Sequence, residues 1–554
     1  FVCDLGQNIA GFARLAVRGR AGQELTLRFA ERLNPDRTIY TTNLRGARAT
    51  DTYVCKGNGL ETWQPRFTFH GFQYVEITGL GHAPAPGELV ALAVTSDTPY
   101  VGTLETSEPA LARLMENIRW TQRMNFIDVP TDCPQRDERL GWTGDAQVYA
   151  RTAAWNADVH AFFTKWLVDL ADAQRADGQF PMVAPLKVAG DDGGPAWADA
   201  GVIVPWEMYR IYGDRRLLER AYPSMQRFLD FCVARSGADL LPPAEFHCFG
   251  DWVSVGAATP KEVIYSAYFA LCARLMEESA LALGRPDDAR RHAGLFERLK
   301  SAFDKAYVQD DGRVQGDTQC AYAMALSFGL VEGERRARVA ERLVADVEAH
   351  GGHFTTGFVG TKDLLLALNA IGREDLAYRL LLNRTYPSWL FSLEHGATSI
   401  WERWDGWTPE KGFQDPGMNS FAHYAFGAVG QWMFETIGGL APAEPGFRRL
   451  QLAPKPGGGL THARASHDSI RGRIELAWRR AGETLELDVL VPPGVSASLA
   501  IPTRAPASVR EGGRPLSEAP GVTVRTTGAE TLDVELLSGR YAFTCAAPVY
   551  ADPR

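Results

Sequence analysis

The hydrophobic period of this chain changes twice, and those changes limit what it can fold into more than any other feature. Up to about residue 98, segments such as LTLRFAE, TDTYVCKG and FQYVEITGL alternate apolar and polar residues, with turn signals GNG and GLGHAPAPGE between them. That is the period of half-buried β-strands. From about Thr103 the spacing becomes helical: SEPALARLMENIRWTQRMNF opens on Ser107, Glu108 and Pro109, a set suited to a capped helix start. About a dozen helical segments follow, the last of them NSFAHYAFGAVGQWMFETIGGL. After Gly439 alternation returns in RRLQLAPKP, RGRIELAWRRAGETLELDVLVP, SASLAIP and GRYAFTC. At 554 residues the chain exceeds what one hydrophobic core supports. The pattern predicts a β-sandwich over residues 1–98, an all-α domain over 99–438 and a second β-sandwich over 439–554. FTFHGFQYVEI reads as one edge of the first sandwich. The helical segments differ in length and share no fixed repeat, which disfavours a solenoid. Helix pairs joined by long aromatic loops fit a closed barrel of two concentric helix layers.

Composition narrows the function by exclusion. Net charge is −9 with both signs interspersed, so there is no basic footprint for nucleic acid. No apolar run is long enough for a membrane helix. Eight scattered cysteines form no CxxC pair, which predicts free thiols rather than a disulfide framework or a zinc site. The chain starts at Phe1 and FVCDLGQ already reads as strand and turn; it is expected to be a fragment or processed form, which leaves the compartment open. Fourteen tryptophans are enough to ask what the indoles stack against, and neutral sugars or core packing are the two answers.

The chemistry concentrates in DVPTDCPQRDERLGWTGD, from Asp128 to Asp145. Asp128, Asp132, Asp137, Glu138 and Asp145 stand there with Arg136, Arg139 and Trp142. A core helix would not bury so many unpaired carboxylates, and Pro130, Pro134, Gly141 and Gly144 punctuate the segment as an ordered loop. Three other loops mix aromatic and polar residues. DDGGPAWADAGVIVPW holds Asp191, Asp192, Trp197, Asp199 and Trp206; FGDWVSVG holds Asp251 and Trp252. HGATSIWERWDGW holds Trp401, Glu402, Arg403, Trp404 and Trp407, and is followed by His423, which reads as just inside a helix. Core packing is the simpler reading for Trp206, loop anchoring for Trp404 and Trp407, and a structural role for Glu31 and His70. Glu402, between an indole and a guanidinium, has opposing influences on its pKa, as a tuned acid or base would. Two carboxylates from distant segments among tryptophans suit glycoside hydrolysis, which needs one carboxyl to protonate the leaving oxygen and another to activate water or attack. HExxH, zinc-spaced Cys/His, GxGxxG, Walker and GxSxG patterns are absent.

The segment DVPTDCPQRDERLGWTGDAQ resembles the signature of bacterial and fungal α-L-rhamnosidases, glycoside hydrolase family 78. FVCDLGQNIAGFARLAVRGRAGQELTLRFAE and FTFHGFQYVEI are similar to the β-sandwich that precedes the family's catalytic domain, and GATSIWERWDG and SFAHYAFGAVGQWM to its later catalytic motifs. The resemblance covers essentially the whole chain. It implies an (α/α)6 barrel, an inverting mechanism and exo-action on terminal α-L-rhamnose of a glycan or glycoside, with no cofactor. Carried over, Glu138 matches the general acid and Glu402 the general base. Asp132, Asp137 and Asp145 match carboxylates that hold sugar hydroxyls, with Arg136 beside them as an orienting cation. Trp142, Trp197 and Trp252 match aromatic walls, Trp401 joins them as a substrate contact beside the base, and His423 matches a histidine near it. No segment forms a recognisable calcium loop, and no metal is expected. Another (α/α)6 carbohydrate-active enzyme, or a non-catalytic rhamnoside-binding protein, would share much of this pattern.

Overall fold

The computed structural model describes residues 1–189 and 193–548, so Asp191, Asp192 and residues 549–554 lie outside it. The chain forms a helical region flanked by two β-sheet regions. In the first, β1 (Val2–Val17), β2 (Glu24–Ala30), β3 (Arg32–Leu33), β4 (Ile39–Tyr40), β5 (Thr50–Val54), β6 (Glu61–Trp63), β7 (His70–Thr78) and β8 (Leu89–Ala93) follow in order. Their main sheet runs β5-β2-β7-β1-β6, with β8 also on β1. The FTFHGFQYVEI segment is therefore not an edge, because β7 lies between β2 and β1. Phe72, Val75 and Ile77 of β7 join Leu15, Leu27 and Phe29 in an apolar core. The start of β7 is committed to the helical region: a Cβ on Gly71 would stand 2.8 Å from the Gln135 backbone.

Strand β9 (Gly102–Thr106) precedes the first helix yet pairs with strand His462–Ser469 in the C-terminal sheet, from Ala463 opposite Thr106 to His467 opposite Gly102. Alternation over five residues in a stretch read as the start of helical spacing carried too little signal to assign it there. The C-terminal region holds this seven-stranded sheet and a five-stranded one, and both bury apolar residues in a core continuous with the helices.

Helices α1 (Pro109–Asn125), α2 (Thr143–Asn156), α3 (His160–Asp172), α4 (Ala200–Tyr212), α5 (Arg215–Arg235), α6 (Lys261–Ala282) and α7 (Pro286–Tyr307) are followed by α8 (Gln319–Ser327), α9 (Gly333–Ala349), α10 (Phe358–Ala370), α11 (Glu374–Leu382), α12 (Trp389–Glu394) and α13 (Val429–Trp432). The Glu108 carboxylate caps α1 by accepting from Ala110 N, with Pro109 as first helical residue. Two kinds of helix alternate. Every residue of α2 is buried, and α8 and α10 are buried on nearly all sides. By contrast α9 buries only Val339, Leu343 and Val347, a single stripe. The enclosed helices pack on one another, α2 on α4, α4 on α6, α6 on α8 and α8 on α10, while Ala425–Trp432 packs against both α10 and α2. No helix of the described residues is long and apolar enough to cross a membrane, and all eight cysteines are unpaired.

Two sequence expectations shift here. AQVYARTAAWNADVHAFFTKWLVDLADAQ, whose spacing reads as one helical segment, is two helices, α2 and α3, because Ala157–Val159 breaks the run where Asp158 N bonds the Pro99 carbonyl. His423 is not inside a helix: its N–H donates to the Ile400 carbonyl at 2.8 Å, and helical winding begins only at Ala425.

Candidate active site

Two segments far apart in sequence are stitched into one floor. Thr131 N and Oγ1 both donate to the Asn125 carbonyl, which turns the chain out of α1. Asp132 then closes the loop on itself: its N–H donates to Leu140 O and its Oδ1 accepts from Leu140 N at 2.8 Å. The loop ends at Trp142, earlier than its sequence suggests, so Asp145 sits in the first turn of α2, where a carboxylate is favoured by the helix dipole. Ser420 Oγ donates to Gln135 Oε1, and Tyr424 Oη to the Pro130 carbonyl, tying in the segment that carries Glu402 and His423.

Arg136 is the centre of the arrangement. Its side chain is 1% exposed, and one guanidinium serves both carboxylates: Nε donates to Glu138 Oε2 at 2.8 Å, while Nη1 and Nη2 donate to Glu402 at 2.9 and 3.2 Å. A planar fork with several donors is suited to hold two carboxylates in fixed relation. Glu402 also accepts from Ser420 N at 2.8 Å and is fully enclosed. Glu138 is less enclosed; its Oε1 accepts from the Trp142 indole at 3.0 Å, and Arg45 Nη2 stands 3.1 Å from Oε2.

These groups line a cavity of about 110 Å³. Asp132, Arg136, Glu138, Trp142, Asp145, Trp197, Trp252, Glu402 and His423 all face it. Its apolar wall is built around Phe249, whose ring lies 5.6 Å from Trp142, 5.0 Å from Trp197 and 5.6 Å from Trp252. Gly144 is required below that wall, since a Cβ there would meet the Trp197 indole at 2.5 Å. Phe249, Phe358, Met418 and Arg45 were not singled out from sequence. Phe249 stands three residues before Trp252 in a loop already noted for its aromatics, so composition of that loop was the available signal.

Two expected sugar contacts do not line the cavity. Asp137 turns away, and its carboxylate takes Arg45 Nε at 2.8 Å and Gly46 N at 3.1 Å. Arg45 reaches both neighbouring carboxylates, and of the two it is Glu138 that lines the cavity. Trp401 packs with Tyr40, Ala397 and Phe421, beneath the Arg32 guanidinium. Of the other loop residues, Asp251 accepts from Gly357 and Gly360 N–H groups at the start of α10, Asp199 accepts from Ala196 N, and Trp404 anchors its loop by donating to Thr356 O. Glu31 is buried between Asn8, Asn43 and Phe421 N, and His70 faces Asp51.

The electrostatics separate the carboxylates. Burial works to raise Glu402, but Arg136, His423 and the Ser420 N–H together hold it below the usual range. Burial, then the Glu138 charge, pushes Asp132 up to about 7 against Arg136 and the Cys133 thiol. Burial also raises Asp145, and Asp145, 3.3 Å away, in turn raises His423 against its own burial. Asp132, Cys133 and Glu138 present ligand atoms within 4.8 Å of one another. Two guanidiniums stand at that cluster, Arg136 3.7 Å from Asp132 and Arg45 3.1 Å from Glu138. Burial lifts the Cys133 thiol well above its ordinary value, and its S–H donates to Asp132 Oδ2 at 2.8 Å.

Comparison with known proteins places all three regions of the chain among proteins of one family. The family model described as bacterial alpha-L-rhamnosidase 6 hairpin glycosidase domain matches residues 99–437. The models for the family's concanavalin-like and C-terminal domains match residues 1–95 and 439–514. An alpha-L-rhamnosidase of Streptomyces avermitilis is 49% identical over 510 residues, covering 92% of this chain and 49% of the relative. One from Formosa agariphila is 38% identical, covering 91% and 55%. The chain thus spans about half the length of the curated relatives it matches. The solved Streptomyces avermitilis alpha-L-rhamnosidase complexed with L-rhamnose superposes with a TM-score of 0.94 at 47% identity, over 98% of this chain and 52% of that one. The alpha-L-rhamnosidase from Dictyoglumus thermophilum gives 0.91 at 31% identity, over 98% and 61%. On the family match across the helical region, the chain belongs to the bacterial α-L-rhamnosidases.

Proposed function

We propose that this chain is the catalytic portion of an exo-acting, inverting α-L-rhamnosidase that releases terminal α-L-rhamnose from a glycan or glycoside. The single observation that carries the reading is the Arg136 bridge between Glu138 and Glu402 across an aromatic-walled cavity. In this reading Glu138 gives its proton to the glycosidic oxygen as the bond to the anomeric carbon breaks, and that bond's electron pair leaves with the aglycone. Glu402 takes a proton from water as the water oxygen bonds the anomeric carbon from the opposite face. Its lowered pKa suits a base that is ionised at rest. A guanidinium with a hydrogen bond on each side separates the two carboxyls, which supports inversion, where roughly 6.5–9.5 Å is needed, over retention at about 5–5.5 Å. Asp132, Asp145 and His423 hold sugar hydroxyls, and Trp142, Trp197, Phe249 and Trp252 form the wall for the apolar face of the ring. The small cavity supports action on one terminal sugar. For the fold, the alternation of enclosed and striped helices supports an (α/α)6 barrel as a domain over 99–438, between β-sandwich domains over 1–98 and 439–554.

The test is hydrolysis of an aryl α-L-rhamnoside beside other aryl glycosides, with the first-formed anomer followed by proton NMR. Selective release of rhamnose as the inverted anomer is expected. Hydrolysis of a different glycoside would assign another carbohydrate-active enzyme, the retained anomer would remove the inverting assignment, and calorimetric rhamnose binding without turnover would make the chain a sugar-binding protein.

A further inference from the structure

One turn of the N-terminal sheet region reaches Glu138 itself. The 3-10 turn Thr42–Leu44 ends at Arg45, which holds a left-handed φ of 54°. A non-glycine residue keeps such a conformation only where its surroundings over-determine it. Here they do: Arg45 Nε donates to Asp137 Oδ1 at 2.8 Å, the next N–H, of Gly46, donates to Asp137 Oδ2 at 3.1 Å, and Nη1 donates to the Gly417 carbonyl at 3.4 Å. A Cβ at position 46 would fall 2.5 Å from Asp137 Oδ2, so any other residue there would displace the carboxylate that holds Arg45. With the guanidinium held by Asp137 on one side, its Nη2 is delivered 3.1 Å from Glu138 Oε2.

The two oxygens of Glu138 therefore differ. Oε2 faces two cations, Arg136 Nε at 2.8 Å and Arg45 Nη2 at 3.1 Å, while among the described residues the hydrogen bond to Oε1 comes from the neutral indole N–H of Trp142 at 3.0 Å. A proton on Oε2 would point at two guanidiniums, so the acid's proton belongs on Oε1. We propose that Arg45 is a positioning residue for proton donation, held by Asp137, which confines the transferable proton to Glu138 Oε1 and offsets the charge left on the carboxyl once the proton has gone to the glycosidic oxygen. The proposal rests on Glu138 being the acid, and it gives Asp137 a role other than sugar binding.

The experiment compares kcat and KM on a dinitrophenyl α-L-rhamnoside, whose leaving group needs no proton, with those on an alkyl α-L-rhamnoside, whose leaving group does. Glu138→Gln is run first: equal losses on both substrates would remove the acid assignment itself, whatever Arg45 does. With that assignment standing, Arg45→Met is expected to lower kcat on the alkyl substrate by about tenfold or more, within the range general acid catalysis supplies. Its kcat on the dinitrophenyl substrate and its KM values should change by less than about threefold. Arg45→Lys should recover part of the loss, and Asp137→Asn, which leaves the cation but loosens its tether, should show the same substrate dependence at smaller size. Equal losses on the two substrates, a loss confined to KM, or no loss in either Arg45→Met or Asp137→Asn would overturn the proposal.

Discussion

The two β regions have similar sequence patterns and opposite relations to the site. The N-terminal one meets the end of the helical region where chemistry is placed: Arg45 reaches Glu138, Asn43 donates to the Asn419 carbonyl, and Glu31 accepts the Phe421 N–H one residue from the Ser420 N–H that Glu402 holds. The C-terminal one braces the other end. Helix α2 carries Asp145 in its first turn and Trp155 near its last, about 15 Å along the axis, and it is Trp155 that stacks edge-on to His467. Trp478 in turn donates to the Ile437 carbonyl at 2.8 Å. A sheet that touches the site with polar side chains sets geometry, whereas one that packs the buried Trp478 and His467 against the helical region supplies burial.

The largest effect on stability is therefore expected from the C-terminal side. Trp478→Ala should destabilise by about 3–5 kcal/mol, as truncation of a fully buried aromatic does, with kcat and KM of the folded fraction unchanged. Thermal unfolding and kinetics at low temperature check this, and a fall in kcat while the fold is intact would erase the contrast between the regions.

Next in size is Glu31, whose carboxyl burial pushes up to about 7 against the Asn8, Phe421 and Asn43 donors. Its pKa is higher folded than unfolded, so its favourable contribution is complete below about pH 4.3. It is lost as pH rises to about 7, an effect on the order of 3 kcal/mol. Relative to Glu31→Gln, the natural protein should lose stability across that window; parallel stability curves would rule out the titration of Glu31. The same variant should lower kcat several-fold with KM little changed, because Phe421 and Ser420 seat Glu402, the proposed base.

The smallest effect is expected at strand β9. Thr103 Oγ1 and Ser466 Oγ share a hydrogen bond of 2.6 Å between helical and C-terminal segments. Thr103→Val should cost about 1 kcal/mol of stability and leave kinetics untouched. A larger loss, read from denaturant unfolding, would mean that β9 carries more of the union than one hydrogen bond.

Long periodic elements were legible because their period needs no partner to be seen: α1, α5 and α7 follow from spacing, and β2 and the C-terminal strands from alternation. The placement of β9 was not, since five residues alternate equally well in any sheet and only the unpaired edge of strand His462–Ser469 selects them. Glu138 and Glu402 stood out as carboxylates in aromatic, arginine-rich contexts. Asp137 stood out for the same reason, and nothing in DERLGW distinguishes the residue that lines the cavity from its neighbour that does not. Trp401 was similarly singled out by being next to Glu402, yet it packs with Tyr40, Ala397 and Phe421 instead of lining the cavity. Arg45 was invisible, a single arginine in a short turn of a different β region.

What the sequence alone determined is the order of strand, helix and strand regions and the chemical inventory of two loops, because both are local and depend on side-chain period and charge density. What only the tertiary structure decided is which of those charges meet. Arg136 pairs with a carboxylate 266 positions away, and Glu138 is met from a sheet that sequence spacing places in a separate region. Those meetings depend on the way buried helices pack and on the need of each enclosed charge for a partner, neither of which is written in any local stretch of chain.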